Sequence, residues 1–168
     1  MAKNQDFPVY LFLGFLESGK TKFIQETLED KRFNNGEKTL LLICEEGVEE
    51  YDMDRFPSKN VFIRTVEDKN ELTEANLLRF VHETGATRAV VEYNGMWLVN
   101  DLINNMPEDW VVYQVMTFID ASTFLGYNAN MRSLVVDKLN VSELAVFNRA
   151  EKSMDVTEFH KIVRGVNR

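Results

Sequence analysis

The chain lacks several features that whole classes of protein require. Its only cysteine among 168 residues, Cys44, excludes an internal disulfide and is typical of a reducing compartment. Its longest apolar run, residues 9–16, is interrupted by Gly14 and is far shorter than the roughly 20 residues of a membrane span. The amino terminus, MAKNQDF, contains no apolar region of a signal peptide. We therefore expect a cytoplasmic protein without a membrane partner.

Basic residues are also scarce, because 19 Lys and Arg face 27 Asp and Glu, for a net charge of −8. The basic residues are scattered singly, and an acidic chain repels phosphate backbones, so no nucleic-acid partner is expected. Hydrophobic residues at 45% and charged residues at 27% are typical of a globular protein and exclude a disordered chain or a coiled-coil rod. The length predicts a single domain over residues 1–168.

Short apolar runs alternate with helical patterns along the chain. Strands are predicted at residues 9–13, 39–44, 61–66, 88–92, 111–119 and 144–148. Helices are predicted at residues 20–33, 73–84, 98–105, 122–138 (one or two helices) and around 156–163. Strands that alternate with helices predict an α/β fold with three layers, in which helices cover both faces of a mostly parallel sheet.

The sharpest motif is GFLESGKT at residues 14–21, which matches G-x-x-x-x-G-K-[ST], the phosphate-binding loop of P-loop NTPases. In such a loop, backbone N–H groups and the amino end of the following helix attract an anion. Lys20 would reach the β- and γ-phosphates, and the Thr21 hydroxyl would bind Mg²⁺. The structural alternative is a glycine-rich strand-to-helix turn with an incidental lysine. The residues predicted to contact the nucleotide in this region are Gly14, Glu17, Ser18, Gly19, Lys20, Thr21 and Lys22.

Two further stretches carry side chains that suit a nucleotide. Glu92 ends the fourth predicted strand, where an acid beside the phosphate loop can hold Mg²⁺ or its water; the alternative is an acid that faces solvent. Asn148 and Glu151 follow the sixth strand, where the acid could accept hydrogen bonds from guanine. A helix-capping loop is the alternative there, and the local spacing by itself favours it. Glu17 would be harmless if it points out of the loop and would weaken phosphate binding if it points in.

Taken in order, these stretches resemble the CobW-type GTPases, which are metal-centre-assembly relatives of the nickel-insertion GTPases of urease and hydrogenase maturation. PVYLFLGFLESGKT at residues 8–21 is similar to the family's strand followed by G-F-L-G-x-G-K-T. LLICEEGVEEYD at residues 41–52 is similar to the strand that ends in N-E-F-G and an aspartate. The remaining matches are Glu92 and Gly95 with E-x-x-G, Asp120 and Ala121 with V-V-D-A, and Asn148, Arg149 and Glu151 with N-K-x-D.

The resemblance implies GTP and Mg²⁺ as cofactors and a slow GTPase that serves metal-centre assembly or metal delivery to a client metalloprotein. It implies phosphate contact by Lys20, metal binding by Thr21, Glu92 and Asp52, and base contact by Asn148, Arg149 and Glu151. Glu45 and Asp52 are the candidates for positioning the attacking water. The oligomeric state is left open.

Departures from the family are also present. The family's metal-binding C-x-C-C is absent after Asp52, where the chain reads MDRFPSK, and Cys44 and Glu46 replace the Asn and the aromatic residue of N-E-F-G. Glu17, Lys22, Arg149 and Glu151 also replace the family's residues. The chain stops where the family has one more strand and a separate domain, so we expect a short divergent member or a fragment.

Two functions therefore stay open. The first is a Mg²⁺-dependent, GTP-binding switch with slow hydrolysis, in which the acidic run of residues 45–54 orders around the γ-phosphate. The second is a degenerate nucleotide-binding or partner-binding module without hydrolytic activity, which Glu17, the altered base motif and the missing cysteines favour. For the acidic run itself, the alternative is the solvated surface of a mobile loop. A small-molecule kinase shares the phosphate loop, but the chain shows no arginine-rich lid segment.

Overall fold

The computed structural model describes residues 5–45 and 47–168. Glu46, which the sequence assigns to the acidic run, lies outside the described residues. The strands are β1 (Phe7–Gly14), β2 (Thr39–Ile43), β3 (Val61–Thr65), β4 (Arg88–Glu92), β5 (Trp110–Asp120) and β6 (Leu144–Asn148). The helices are α1 (Lys20–Glu29), α2 (Glu74–Thr84), α3 (Val99–Ile103), α4 (Phe124–Asn130), α5 (Arg132–Val141) and α6 (Val156–Val166). The α/β fold class is confirmed.

All strand pairs in the described sheet are parallel, and the strand order is β3-β2-β4-β1-β5-β6. The central strand β1 pairs with β4 and β5, so that Phe12 lies opposite Glu92 and Gly14 lies opposite Phe118. Ile43 at the end of β2 also lies opposite Glu92. Since the carboxyl ends of parallel strands meet at one edge, this register brings the ends of β1, β2 and β4 together.

Helices cover both faces of the sheet. Helix α1 packs Ile24 and Leu28 on one face, while α2 and α3 pack Leu77, Phe80 and Leu102 on the other. Burial on both faces explains why the central strands are continuous apolar runs rather than alternating patterns. Helices α4 to α6 cover the β5–β6 end of the second face, where Phe147 and Phe159 stack with their ring centroids 5.1 Å apart. None of the helices in the described part of the chain is long and apolar enough to cross a membrane.

The end of α1 differs from the prediction, and the pattern that left one or two helices open forms two. Helix α1 ends at Glu29 and not at residue 33, because Asp30 adopts an extended conformation and its carboxylate accepts a hydrogen bond from the Arg32 N–H at 2.8 Å. Such a local turn competes with continuation of the helix. The helical pattern at residues 122–138 forms two helices, which Met131 separates at φ −131°.

Candidate functional site

In the turn between β1 and α1, no side chain caps the first backbone N–H groups of the helix, so these groups can bind an anion. Gly19 immediately precedes α1 at φ +102° and has no side chain with which to cap the helix. A Cβ at Gly19 would also collide with the Asn148 side-chain amide, so both backbone conformation and space require glycine there. An uncapped helix amino terminus with a glycine-rich approach is a binding site for phosphate groups.

Lys20 is buried at the start of α1 and is fully hydrogen-bonded within the chain. Its ammonium group donates to the carbonyl oxygens of Gly14 and Phe15, the latter at 3.1 Å, and to the Glu45 carboxylate at 2.7 Å. An ammonium group has three N–H donors, so these contacts use all of them. A phosphate that binds Lys20 must therefore replace one of these acceptors.

Glu45 connects the phosphate loop to the segment that follows β4. One of its carboxylate oxygens pairs with Lys20, and the other accepts a hydrogen bond from the Gly95 N–H at 3.2 Å. Gly95 packs against the loop so closely that a Cβ there would lie 2.7 Å from the Gly14 oxygen and from the Phe15 Cα. The glycine of the E-x-x-G match is thus required by close backbone approach.

Glu92 is buried at the end of β4 and joins two other elements. The Thr21 hydroxyl donates to one carboxylate oxygen at 2.6 Å, and the Tyr51 hydroxyl donates to the other. Burial raises the pKa of Glu92, although the hydrogen bonds from Thr21 and Tyr51 oppose the shift. The alternative of a strand-end acid that faces solvent does not apply, because only 5% of Glu92 is exposed.

The Thr21–Glu92 pair fits Mg²⁺ chemically. This ion prefers oxygen ligands, and in nucleotide sites one or two protein oxygens suffice because phosphates and waters complete its shell. The Thr21 hydroxyl and the Glu92 carboxylate are such oxygens, and they already lie 2.6 Å apart. The described residues contain no group of three or more His, Cys, Asp and Glu side chains that could hold a metal ion by themselves.

Asp52 lies in the same region but is engaged elsewhere. Its carboxylate accepts a hydrogen bond from the Asp54 N–H at 3.1 Å and caps a 3₁₀ turn at Met53–Arg55. Its backbone N–H and carbonyl both pair with the Gln25 side chain of α1, each at 3.0 Å. The neighbouring Tyr51, and not Asp52, is the residue of this segment that reaches Glu92.

The loop after β6 contacts the opposite side of the phosphate loop. The Asn148 side-chain amide donates to the Ser18 carbonyl at 3.4 Å, and the Arg149 guanidinium donates to the Glu17 carbonyl at 2.9 Å. Arg149 also forms an ion pair with Asp120 at 2.8 Å. The side chain that caps α6 is Asp155, so Asn148 and Glu151 do not serve as its cap. Glu151 is exposed.

A groove of about 250 Å³ runs along the outer side of the phosphate loop. It is lined by residues 16–21, Glu45, residues 47–49, Glu92 and Arg149. Among the predicted site residues, Lys22, Asp52 and Glu151 have exposed side chains. Gly14, the first residue of the loop, and Asn148, which contacts the Ser18 carbonyl, do not line the groove. The Glu17 side chain is also exposed. The groove thus unites most of the predicted phosphate and metal residues, but the predicted base-binding acid lies outside its lining.

Two residues near the phosphate loop, Tyr51 and Lys138, belong to no motif that would place them there from the sequence. Tyr51 stands within a run of exposed acids, and Lys138 is one lysine of the weakly amphipathic α5. Lys138 is 1% exposed, its ammonium group lies 5.3 Å from the Phe15 ring centroid, and its hydrogen bond to the Leu134 carbonyl is long at 3.4 Å. Burial lowers the pKa of Lys138 to about 8, against the opposing attraction of Asp137. The position of Lys138 beside Phe15 depends on packing between elements that are far apart in the sequence, so local pattern does not predict it.

Comparison with known proteins bears on the fold. No protein-family model matches the chain, and no curated protein matches it. A crystal structure of a Zn(II)-bound triple mutant of the GTPase YjiA matches with a TM-score of 0.69 and 17% identity, over 98% of this chain and 56% of that chain. The chain thus spans little more than half the length of the YjiA chain. A likeness at this level of identity shows the fold alone, and the expectation of an α/β fold with a mostly parallel sheet, like that of YjiA, is confirmed.

Proposed function

We propose that the chain is a guanine-nucleotide-binding switch that hydrolyses GTP slowly with Mg²⁺. The observation that carries this proposal is the convergence of Lys20, Thr21 and Glu92 on one groove beside an uncapped helix amino terminus. Each of these groups has the chemistry that a phosphate or its counter-ion needs. The shared fold with a GTPase supports the same conclusion.

Phosphates would be held by the backbone N–H groups of residues 16–21 and by the Lys20 ammonium group. The groove lies along these residues, which supports an extended phosphate chain across the start of α1. During in-line attack by water, negative charge spreads over the phosphate oxygens, and Lys20 would stabilise it in a largely buried setting. Lys20 is 3% exposed, so its charge is weakly screened by solvent.

The Thr21 hydroxyl and the Glu92 carboxylate are proposed to hold Mg²⁺, either directly or through water. When bound there, the ion would neutralise charge on the β- and γ-phosphate oxygens. Tyr51 would keep the Glu92 carboxylate oriented through its hydrogen bond. Glu45 and Asp52 are proposed to position water, Glu45 after the bound phosphate has replaced it beside Lys20 and Asp52 only after its segment leaves the turn at Met53–Arg55.

Asn148, Arg149 and Glu151 are proposed to contact the purine. The contacts of Asn148 and Arg149 with the phosphate loop support this, because they connect the loop after β6 to the nucleotide groove. Glu151 would accept hydrogen bonds from guanine, and its exposed side chain is free of the capping role that Asp155 fills.

A cytoplasmic role in metal-centre assembly or metal delivery, with a client metalloprotein as partner, is proposed from the resemblance to the CobW-type GTPases. The chain has a single cysteine, which is buried, and burial raises the pKa of its thiol. A thiolate metal site of the C-x-C-C kind is therefore not proposed for it. Any metal handled by this chain would have to be bound by oxygen or nitrogen ligands or by its client.

One observation favours the alternative, a nucleotide-binding or partner-binding module without hydrolysis. All three donors of Lys20 are satisfied inside the chain, so a phosphate that binds Lys20 must replace one of its acceptors, among which the Glu45 carboxylate forms a buried ion pair. If that pair is too stable, the loop would bind nucleotide weakly or only as part of a complex.

Titration of the purified protein with GTP, GDP and ATP, with and without Mg²⁺, tests the proposal. Calorimetry should show Mg²⁺-dependent binding that favours GTP over ATP, and a phosphate-release assay should show slow turnover. Absence of binding to all three nucleotides at millimolar concentration would overturn the proposal. Tighter binding of ATP would overturn the role of Glu151 in guanine recognition, and binding without phosphate release would select the alternative module.

A further inference from the structure

The Glu45 carboxylate lies where two hydrogen-bond donors from different elements converge. It bridges the Lys20 ammonium group at 2.7 Å and the Gly95 amide at 3.2 Å. The ion pair is withdrawn from solvent, since the side chains of Lys20 and Glu45 are 3% and 10% exposed. An ammonium group and a backbone amide that point at one small anion form a receptor that suits a phosphate oxygen as well as a carboxylate oxygen.

We propose that Glu45 occupies the position of the terminal phosphate of a nucleoside triphosphate and so determines how the site discriminates between triphosphate and diphosphate. This inference rests on the proposed nucleotide binding. The position between Lys20 and Gly95 has room for one anion, because two negative groups at the same ammonium repel each other strongly in a buried setting. A triphosphate must therefore displace Glu45 from this position.

A diphosphate leaves this position to Glu45. The backbone amides of the loop and the amino end of α1 suffice to bind its two phosphates, and Glu45 can stay between Lys20 and Gly95. The chain therefore carries an internal competitor that acts against the triphosphate alone. Glu45 also precedes the exposed segment at residues 47–50 in the chain, where Val48 is 82% exposed. Displacement of Glu45 would carry this segment away from Lys20, so the bound nucleotide would determine its position.

The Glu45→Gln variant separates these effects, because it removes the negative charge but keeps the size and a hydrogen-bond acceptor. Dissociation constants for GDP and for the slowly hydrolysed analogue GTPγS, both with Mg²⁺, should be measured by calorimetry. GTPγS affinity should rise by about tenfold, equivalent to ~1.4 kcal/mol, while GDP affinity changes little. Glu67→Gln is the matched control, since Glu67 is exposed and lies at the same edge of the sheet after β3. The ratio of GTPγS affinity to GDP affinity in this variant should equal that of the unaltered chain.

An equal GDP-to-GTPγS ratio in Glu45→Gln and in the unaltered chain would overturn the inference while leaving nucleotide binding intact. A loss of GTPγS affinity would also overturn it, because Glu45 would then be a ligand and not a competitor. Failure of every variant and of the unaltered chain to bind either nucleotide would overturn the proposed function itself, and this inference with it. Glu45→Ala provides a second test, and the same direction of change is required, with circular dichroism to verify folding.

Discussion

The proposed nucleotide site has a phosphate end, in the groove, and a base end, in the loop after β6, and the two ends differ in how far their side chains are withdrawn from solvent. At the phosphate end, Lys20 and Glu92 are 3% and 5% exposed, and each is hydrogen-bonded to side chains of other elements. At the base end, Arg149 and Glu151 are exposed. The position of the strands explains the difference, since β1 and β4 lie inside the sheet and β6 lies at its edge.

This difference predicts where binding energy is concentrated. Charged groups that are withdrawn from water interact strongly, whereas exposed ion pairs contribute little because solvent screens them. We therefore expect the phosphate end to dominate affinity and the base end to contribute a smaller preference. The four predictions below test this contrast, from the largest expected effect to the smallest.

The largest effect is expected for Lys20→Met. It removes the charge that would meet the phosphates, and nucleotide affinity should fall by about 100-fold, or ~2.7 kcal/mol. Calorimetry with GTPγS and Mg²⁺ measures the loss, because a triphosphate is the nucleotide proposed to displace Glu45 and meet Lys20. Lys31→Met is the control, because Lys31 is exposed beyond the end of α1. A loss of less than about threefold would contradict the dominance of the phosphate end.

The second prediction concerns Lys138, which lies beneath the phosphate loop with a pKa that burial lowers to about 8. In the unfolded chain a lysine titrates near 10.4, so charging the buried group destabilises the fold by about 2–3 kcal/mol below pH 8. Lys138→Met should therefore raise the free energy of unfolding at pH 7 by about 2 kcal/mol, measured by urea denaturation.

The pH dependence of that gain follows from the direction of the shift. The destabilisation by the Lys138 charge is complete below the pKa of the folded chain and disappears as pH rises toward the pKa of the unfolded chain. The difference in free energy of unfolding between Lys138→Met and the unaltered chain should therefore shrink above pH 8. Lys20, Asp137 and Glu45 also act on the Lys138 charge, and Asp137 and Glu45 stabilise it. Lys59→Met, at an exposed lysine, should show no such dependence. A constant difference between pH 7 and pH 10 would contradict the buried-charge account.

A third, smaller effect is expected at the base end. Glu151→Gln replaces the proposed acceptor of the guanine N–H groups with a neutral amide, and the GTP-over-ATP preference should fall by about tenfold. Competition between the two nucleotides for the groove measures the ratio. Glu143→Gln, at an exposed acid before the other end of β6, should leave the ratio unchanged. An unaltered ratio in Glu151→Gln would remove Glu151 from base recognition.

The smallest effect is expected for Lys22, which is exposed on the first turn of α1. Its proposed contact with the nucleotide is solvent-screened, so Lys22→Ala should weaken GTPγS binding by about threefold or less. Calorimetry at low and at high salt should show that even this effect decreases with ionic strength. A loss of affinity as large as that of Lys20→Met would mean that exposure does not determine how much a residue contributes to nucleotide binding.

Local pattern accounts for much of what could be predicted. The continuous apolar runs and the glycine-bounded helices predicted the parallel sheet, and Thr73 and Gly85 cap α2 at the predicted boundaries. The prediction that α1 extends to residue 33 was wrong, because the local turn at Asp30 outweighs the helical spacing beyond it. Periodicity reports which face is apolar and does not report competing side-chain hydrogen bonds.

The pairings within the site required the tertiary structure. The pattern G-x-x-x-x-G-K-T predicts Lys20 and Thr21 without other information, because a phosphate loop needs those residues at that spacing. The same pattern does not predict the contact between Lys20 and Glu45, which are 25 residues apart. It also does not predict the contact between Tyr51 and Glu92, which are 41 residues apart. Such contacts depend on strand order and register.

The sequence by itself therefore determined the class of fold and the location of the phosphate loop, because both depend on short-range spacing of apolar residues and glycines. The tertiary structure alone decided that Lys20 faces an internal carboxylate, that Glu92 is buried and that Lys138 carries its charge beneath the loop. The physical reason is that burial and pairing are properties of the space between distant segments, which parallel strand order brings together.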